Sequence, residues 1–186
     1  MTEKRTEIAT LAGGCFWCTE AVMQKLRGVE KVIPGYTGGH VPNPTYSDVC
    51  TGATGHAEAI QVHFDPDVIS YEQLLEVFFA LHDPTTRDRQ DADIGPQYRS
   101  AIFYHDNTQK ETIRKVIANV ETSGMYRNPV VTQVAPAGEY YVAEDYHHNF
   151  YEDNKTYPYC AIVIDPKIKK LYKNFESLLA SEPSSS

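Results

Sequence analysis

Residues 7–36 read EIATLAGGCFWCTEAVMQKLRGVEKVIPGY, and this stretch decides the fold. Glu7–Ala12 has the make-up of a short strand, which Gly13 and Gly14 end. Phe16, Val22, Met23 and Leu26 then form an apolar set at helical spacing. A helix is therefore expected over Cys15–Arg27, with Gly28 as its stop. Val29–Tyr36 resumes as a strand. Working outward, Ala57–Phe64 alternates cleanly as a strand, and Ser70 caps a helix running to Leu81 with Glu72 and Gln73 in its first turn. Arg99–His105 is a further strand, Thr108–Thr122 a helix and Gln133–Ala135 a short extended piece. The core order is strand, helix, strand, strand, helix, strand. That order predicts an α+β fold of the ferredoxin-like, split βαβ kind, a two-layer sandwich with helices on one face of a largely antiparallel sheet. Thr37–Gly55 and Asp83–Gln97 are expected to be long loops, of the sort that carry function. The tyrosine-rich final third reads as irregular until a helix over Lys167–Leu179.

The chain of 186 residues fits one domain, expected over residues 1–180, with a flexible tail at 181–186. Its net charge of −8 argues against nucleic-acid binding, which needs cations to replace phosphate counterions. Lys167, Lys169 and Lys170 read as the solvated face of the last helix. No apolar run approaches the roughly 18–20 residues that span a bilayer, and MTEKRTEIAT does not resemble a signal peptide. A cytoplasmic, monomeric protein is expected.

The four cysteines, Cys15, Cys18, Cys50 and Cys160, are too sparse for a secreted disulfide scaffold. They are catalytic, metal-binding or buried. Cys15 falls at the head of the first helix, where unpaired N–H groups and the helix dipole favour an anion, so a reactive thiolate is expected there. The alternative is a small buried residue. Cys15 and Cys18 form a C-x-x-C pair, which suggests redox chemistry or half a zinc site. Zinc would need a second pair at ligand spacing, yet Cys50 and Cys160 are isolated and His147–His148 are adjacent, so no metal is expected. The Phe16–Trp17 filling between the two cysteines suggests an apolar pocket beside the nucleophile.

GGCFWCTE at residues 13–20 resembles the active-site motif of the class A peptide methionine sulfoxide reductases. The similarity continues through GYTGG (35–39), NPTYSDVCTGATGHAEAIQVHFDP (43–66), HDPTTRDRQDADIGPQYRS (82–100), AEDYHH (143–148) and PYC (158–160). The resemblance implies reduction of the S epimer of methionine sulfoxide, free or in proteins, with no bound cofactor and with thioredoxin as external reductant and partner. It implies that Cys15 attacks the sulfoxide sulfur and becomes a sulfenic acid. It makes Glu58 the general acid. Glu58 also lies in phase with Ile60, Val62 and Phe64, so the strand aims it at an apolar face where a carboxyl holds its proton. The alternative is an edge glutamate reaching water.

By the same resemblance Tyr46 and Tyr98 hydrogen-bond the sulfoxide oxygen, and Phe16 and Trp17 wall the methyl group. Asp93, His147 and Tyr159 line the site. For each, a packing or surface role is the plainer alternative. The family often has a tyrosine three residues after the histidine, where this chain has Phe150. Cys160 matches the resolving cysteine that closes a disulfide for thioredoxin to reduce. Cys18 is the rival, disfavoured on the expectation that a bond to it would unwind the first helical turn. Cys50 is expected to be buried and inert. Two other functions fit the motif: a disulfide oxidoreductase built on C-x-x-C, and a module that binds methionine-rich peptides without turnover.

Overall fold

Alternating apolar residues build the sheet, and one of its two central strands carries Glu58. The computed structural model describes residues 5–180, so the tail at 181–186 lies outside the described residues. In chain order the elements are β1 (Glu7–Gly13), α1 (Phe16–Met23), β2 (Val29–Thr37), α2 (Tyr46–Cys50), β3 (Ala57–Phe64) and α3 (Tyr71–Leu81). They continue with β4 (Arg89–Gln90), β5 (Asp93–Ile94), β6 (Ser100–Tyr104), α4 (Asn107–Thr122), β7 (Gln133–Pro136), β8 (Tyr140–Val142), α5 (Phe150–Asp153) and α6 (Asp165–Asn174). The class is α+β. A six-stranded sheet runs β7-β6-β1-β3-β2-β8, with every pairing antiparallel except β6 with β7. A hairpin of β4 and β5 stands apart.

The period of two sorts β3 between two cores. Ile60, Val62 and Phe64 are fully buried in the main core with Met23 and Leu26 near α1 and with Leu74 and Phe78 of α3. Ala57 and Ala59 join Ala12, Ala101 and Phe103 in a smaller cluster on the other face. Glu58 shares the phase of Ile60, and it is 1% exposed.

Three elements differ from expectation for identifiable reasons. α1 stops at Met23 because residues 25–27 pair with the end of the chain: Arg27 N–H donates to Leu178 O at 2.8 Å and Ala180 N–H to Lys25 O at 2.9 Å. The last helix ends at Asn174, and a 3-10 turn, Glu176–Leu178, carries the chain into that pairing. Lys169 and Lys170 are exposed as expected, but Lys167 is half-buried, and Lys167 and Lys170 both reach back to α3. Their ammonium groups donate to the carbonyls of Leu81 at 2.9 Å and Ala80 at 2.7 Å, which the end of α3 leaves without helical partners. The loop at 37–55 also contains α2, started by a capping box in which Thr45 and Asp48 bond each other's backbone amides.

Candidate active site

Gly14 has φ +90, and a Cβ on it would lie 2.6 Å from the Gln90 side chain, so only glycine fits between β1 and α1. The turn leaves Cys15 as the N-cap of α1, at φ −59 and ψ 127, outside the helix proper. The amides of the first turn are divided. Phe16 N–H donates to Glu58 Oε1 at 3.1 Å, Trp17 N–H favours the Cys15 sulfur, and Cys18 N–H donates to Cys15 O at 3.0 Å. Cys15 is 7% exposed. Burial pushes its thiol well above the usual range, and Cys18 and the negative charge of Glu58 add to the rise. The thiolate expected from the helix N-terminus is therefore not the resting form, because desolvation outweighs one amide.

Burial likewise raises the Glu58 carboxyl to about 8, with Asp93 and Cys18 contributing and the Phe16 amide opposing. Its Oε2 is buried without a hydrogen-bond partner. A protonated carboxyl with a free oxygen is thus held beside Cys15.

Cys18 is 5% exposed and sits at N3 of α1. Its thiol is lowered, first by the hydrogen bond from Cys15 against the opposing effect of burial, then by Tyr159 and Lys167. Cys15 and Cys18 stand at the N-cap and N3 positions and share a side-chain hydrogen bond, so the two thiols are neighbours in the folded helix. Cys18 Sγ lies 3.5 Å from Tyr159 Oη, which donates to Asp93 Oδ2 at 2.8 Å. Cys160 follows Tyr159 in the chain, is fully buried at the start of a π-helical turn (Cys160–Ile164), and is raised by burial and by the nearby Cys18.

An aromatic wall surrounds these groups. Trp17 stacks on Phe150 with centroids 3.8 Å apart and planes at 5°, and its indole N–H donates to His147 Nδ1 at 3.0 Å. Tyr159 meets Trp17 edge-on at 5.8 Å. Phe16, fully buried, packs on Tyr46 at 6.4 Å and on His147 at 5.0 Å, and Tyr46 lies 4.4 Å from His147. Burial lowers His147 to about 4, so the ring is neutral; with Nδ1 accepting from Trp17, the proton is on Nε2. Tyr98 is half-buried at the end of the 3-10 turn Pro96–Tyr98, and burial, then Glu58, raises its phenol, as they do that of Tyr46. Among the described residues there is no cluster of three or more His, Cys, Asp or Glu that could hold a metal.

The sequence model of the family described as peptide methionine sulfoxide reductase matches residues 7–179. The chain belongs to this family. A relative from Sulfolobus acidocaldarius, named peptide methionine sulfoxide reductase MsrA, is 57% identical over 169 residues, covering 91% of this chain and 95% of its own. Among solved structures, Mxr1 from Saccharomyces cerevisiae in reduced form superposes with a TM-score of 0.79 at 33% identity, covering 84% of this chain and 90% of its own. The same yeast protein in complex with Trx2 matches with a TM-score of 0.55 at 25% identity, covering 76% and 85%.

In this reductase the structure brings Cys15, Phe16, Trp17, Cys18, Tyr46, Glu58, Asp93, Tyr98, His147 and Tyr159 into one connected neighbourhood. Two supporting residues escaped the sequence reading. Glu144 accepts from Tyr36 Oη at 2.8 Å and from the Tyr46 amide at 2.9 Å, and so orients the start of α2. Their partnership links strand β2 to a loop far along the chain, which no local pattern announces. Cys50 was expected to be buried but is exposed, because it ends the short surface helix α2 whose inward residue is Val49. Phe150 joins the wall as a ring stacked on Trp17.

Proposed function

We propose that this protein reduces the S epimer of methionine sulfoxide, free or in proteins, to methionine, and that thioredoxin restores it. One observation carries the reading. A buried carboxyl that keeps its proton to about 8 stands beside Cys15, next to the aromatic rings of Phe16, Trp17 and Tyr46. Family membership supports the reaction, and the yeast relative's complex with Trx2 supports a thioredoxin partner.

In the proposed reaction Glu58 gives its proton to the sulfoxide oxygen while Cys15 sulfur attacks the sulfoxide sulfur. Tyr46 and Tyr98 donate hydrogen bonds to that oxygen. Phe16 and Trp17 hold the methyl group, with Asp93, His147 and Tyr159 fixing the wall and the thiols around it. The proton leaving Cys15 replaces the one lost from Glu58. The hydroxyl so formed then passes from the methionine sulfur to the Cys15 sulfur as the transient sulfur–sulfur bond breaks, so methionine departs and Cys15 is left as a sulfenic acid.

Cys18, the adjacent thiol of lowered pKa, then attacks that sulfur, releasing water and forming a Cys15–Cys18 disulfide. Cys160 exchanges with Cys18, freeing Cys15, and thioredoxin reduces the resulting Cys18–Cys160 bond. Cys18, and not Cys15, is among the groups whose charge raises the Cys160 thiol, which supports this order over direct attack by Cys160.

We further read the four central strands, in the order β6-β1-β3-β2 with α1 and α3 as crossovers, as ferredoxin-like. The same reading takes residues 1–180 as one catalytic domain, working without a bound cofactor, as a monomer in the cytoplasm. The test is methionine formation from free methionine S-sulfoxide with dithiothreitol, run beside an insulin-disulfide assay. Disulfide reduction without sulfoxide reduction would favour a C-x-x-C oxidoreductase, and tight binding without turnover would favour a binding module.

A further inference from the structure

Glu20 is a buried carboxylate that the proposed reaction leaves unused. It lies on α1 one helical turn beyond Trp17, is 1% exposed, and accepts the Asn149 amide on Oε2 at 2.9 Å, while Oε1 is buried without a partner. Asn149 itself is in the left-handed region, at φ 59 and ψ 30, and is followed by Phe150, the ring stacked on Trp17. Two residues before it is His147, which accepts the Trp17 indole N–H. A single carboxylate thus pins the segment that supplies two contacts to the aromatic wall. We propose that Glu20 is a positioning residue of the sulfoxide site, holding residues 147–150 through the Asn149 amide so that Phe150 and His147 fix Trp17. The proposal rests on the reading of Trp17 as the wall of that site.

The pinning contact is strongest when Glu20 is ionised. An amide hydrogen bond to a charged carboxylate is stronger than one to the neutral acid. Burial raises Glu20 to about 7, opposed by the Asn149 and Phe150 amides and by His148, and assisted by Asp153. The Tyr140 phenol of β8 is within electrostatic reach of it, and a Lys25–Glu152 ion pair at 2.9 Å ties the chain just past α1 to α5. Acidification through pH 7 therefore weakens the hold on residues 149–150 and loosens the wall, and alkaline conditions restore it.

Trp17 is the chain's single tryptophan, so its emission reports on the wall directly. In the full chain, emission is expected to change with a midpoint near pH 7, to do so still in Glu58→Gln, and to lose the transition in Glu20→Gln. At pH 8, Glu20→Gln is expected to raise KM for the S-sulfoxide about tenfold with kcat within about twofold, the split that lost positioning produces. Glu20→Asp keeps the charge but withdraws it from the Asn149 amide, and should raise KM similarly. A transition that survives Glu20→Gln and disappears in His148→Gln would overturn the proposal, as would normal KM in Glu20→Asp. Unaltered KM and emission in Glu20→Gln would overturn it alone. Absence of sulfoxide reduction by the unsubstituted protein would overturn the proposed function and this positioning role together.

Discussion

Glu58→Gln isolates the ionisation that burial opposes at the centre of the site. Glutamine can keep its carbonyl on the Phe16 amide, now 3.1 Å from Glu58 Oε1, so the packing around α1 is preserved. Below pH 4.5 the carboxyl is protonated in both folded and unfolded chains and contributes no difference. Between 4.5 and about 8 the unfolded chain ionises while the folded chain holds its proton, so the wild type loses stability as pH rises. At about 1.4 kcal/mol per pH unit, the cost is roughly 2 kcal/mol at pH 6 and approaches 5 kcal/mol at pH 9. Glutamine carries no such cost. The variant's stability relative to the wild type should therefore grow by about 3 kcal/mol from pH 6 to pH 9, measured by guanidinium unfolding at the two pH values. Its rate of methionine formation in a single turnover should fall roughly 10²–10⁴-fold, the usual contribution of a general acid. Wild-type activity should decline above about pH 8, as Glu58 loses its proton. A variant that turns over at near wild-type rate, or whose relative stability does not change with pH, would refute the assignment of Glu58.

Cys15→Ser should abolish turnover with the far-UV spectrum unchanged, because a hydroxyl supplies almost no anion at neutral pH; residual sulfoxide reduction would remove Cys15 from its role. The protein should consume the S and not the R sulfoxide, and equal loss of both epimers on a chiral column would contradict a pocket that fixes methyl and oxygen together. After one turnover Cys160→Ser should hold a Cys15–Cys18 disulfide by mass mapping, while Cys18→Ser should stall with a trappable sulfenic acid on Cys15. Normal recycling of Cys18→Ser through a Cys15–Cys160 bond would reverse the proposed order.

The parts of the site legible in the sequence are those set by local periodicity. The alternation of Ala57–Phe64 places Glu58 with Ile60 and Val62, and the structure buries it on that face. Ser70 and Gln73 form the capping box that their spacing suggests. α2 was legible too, since Thr45 and Asp48 stand at capping distance, but the surrounding glycines and prolines hide the signal. What the sequence does not carry is contact between distant segments. β8 exists only because Gly35–Thr37 has a free edge that Tyr140–Val142 can pair with. Leu26 leaves the helix only because Leu179 arrives beside it. The protonation of Cys15 was misread for the same reason. The helix N-terminus is visible at Gly14–Cys15, whereas the depth of burial depends on residues from every other part of the chain.

That misreading bears on how the site discriminates. An exposed thiolate at a helix N-terminus is the form that peroxides oxidise and that other disulfides attack. Here the first-turn amides are shared, with Phe16 N–H committed to Glu58 and one amide left to favour the Cys15 sulfur. Burial and the hydrogen bond with Cys18 then keep Cys15 protonated. In the proposed reaction a sulfoxide changes both groups at once: its oxygen takes the Glu58 proton, and the carboxylate so formed is the base for the Cys15 thiol. The nucleophile becomes anionic only when a substrate able to accept that proton occupies the wall between Trp17 and Tyr46. A peroxide or a disulfide offers no basic sulfoxide oxygen, so neither sets the exchange in motion. The raised pKa of Cys15 is thus consistent with its nucleophilic role, because the substrate's own oxygen supplies the means of activating it.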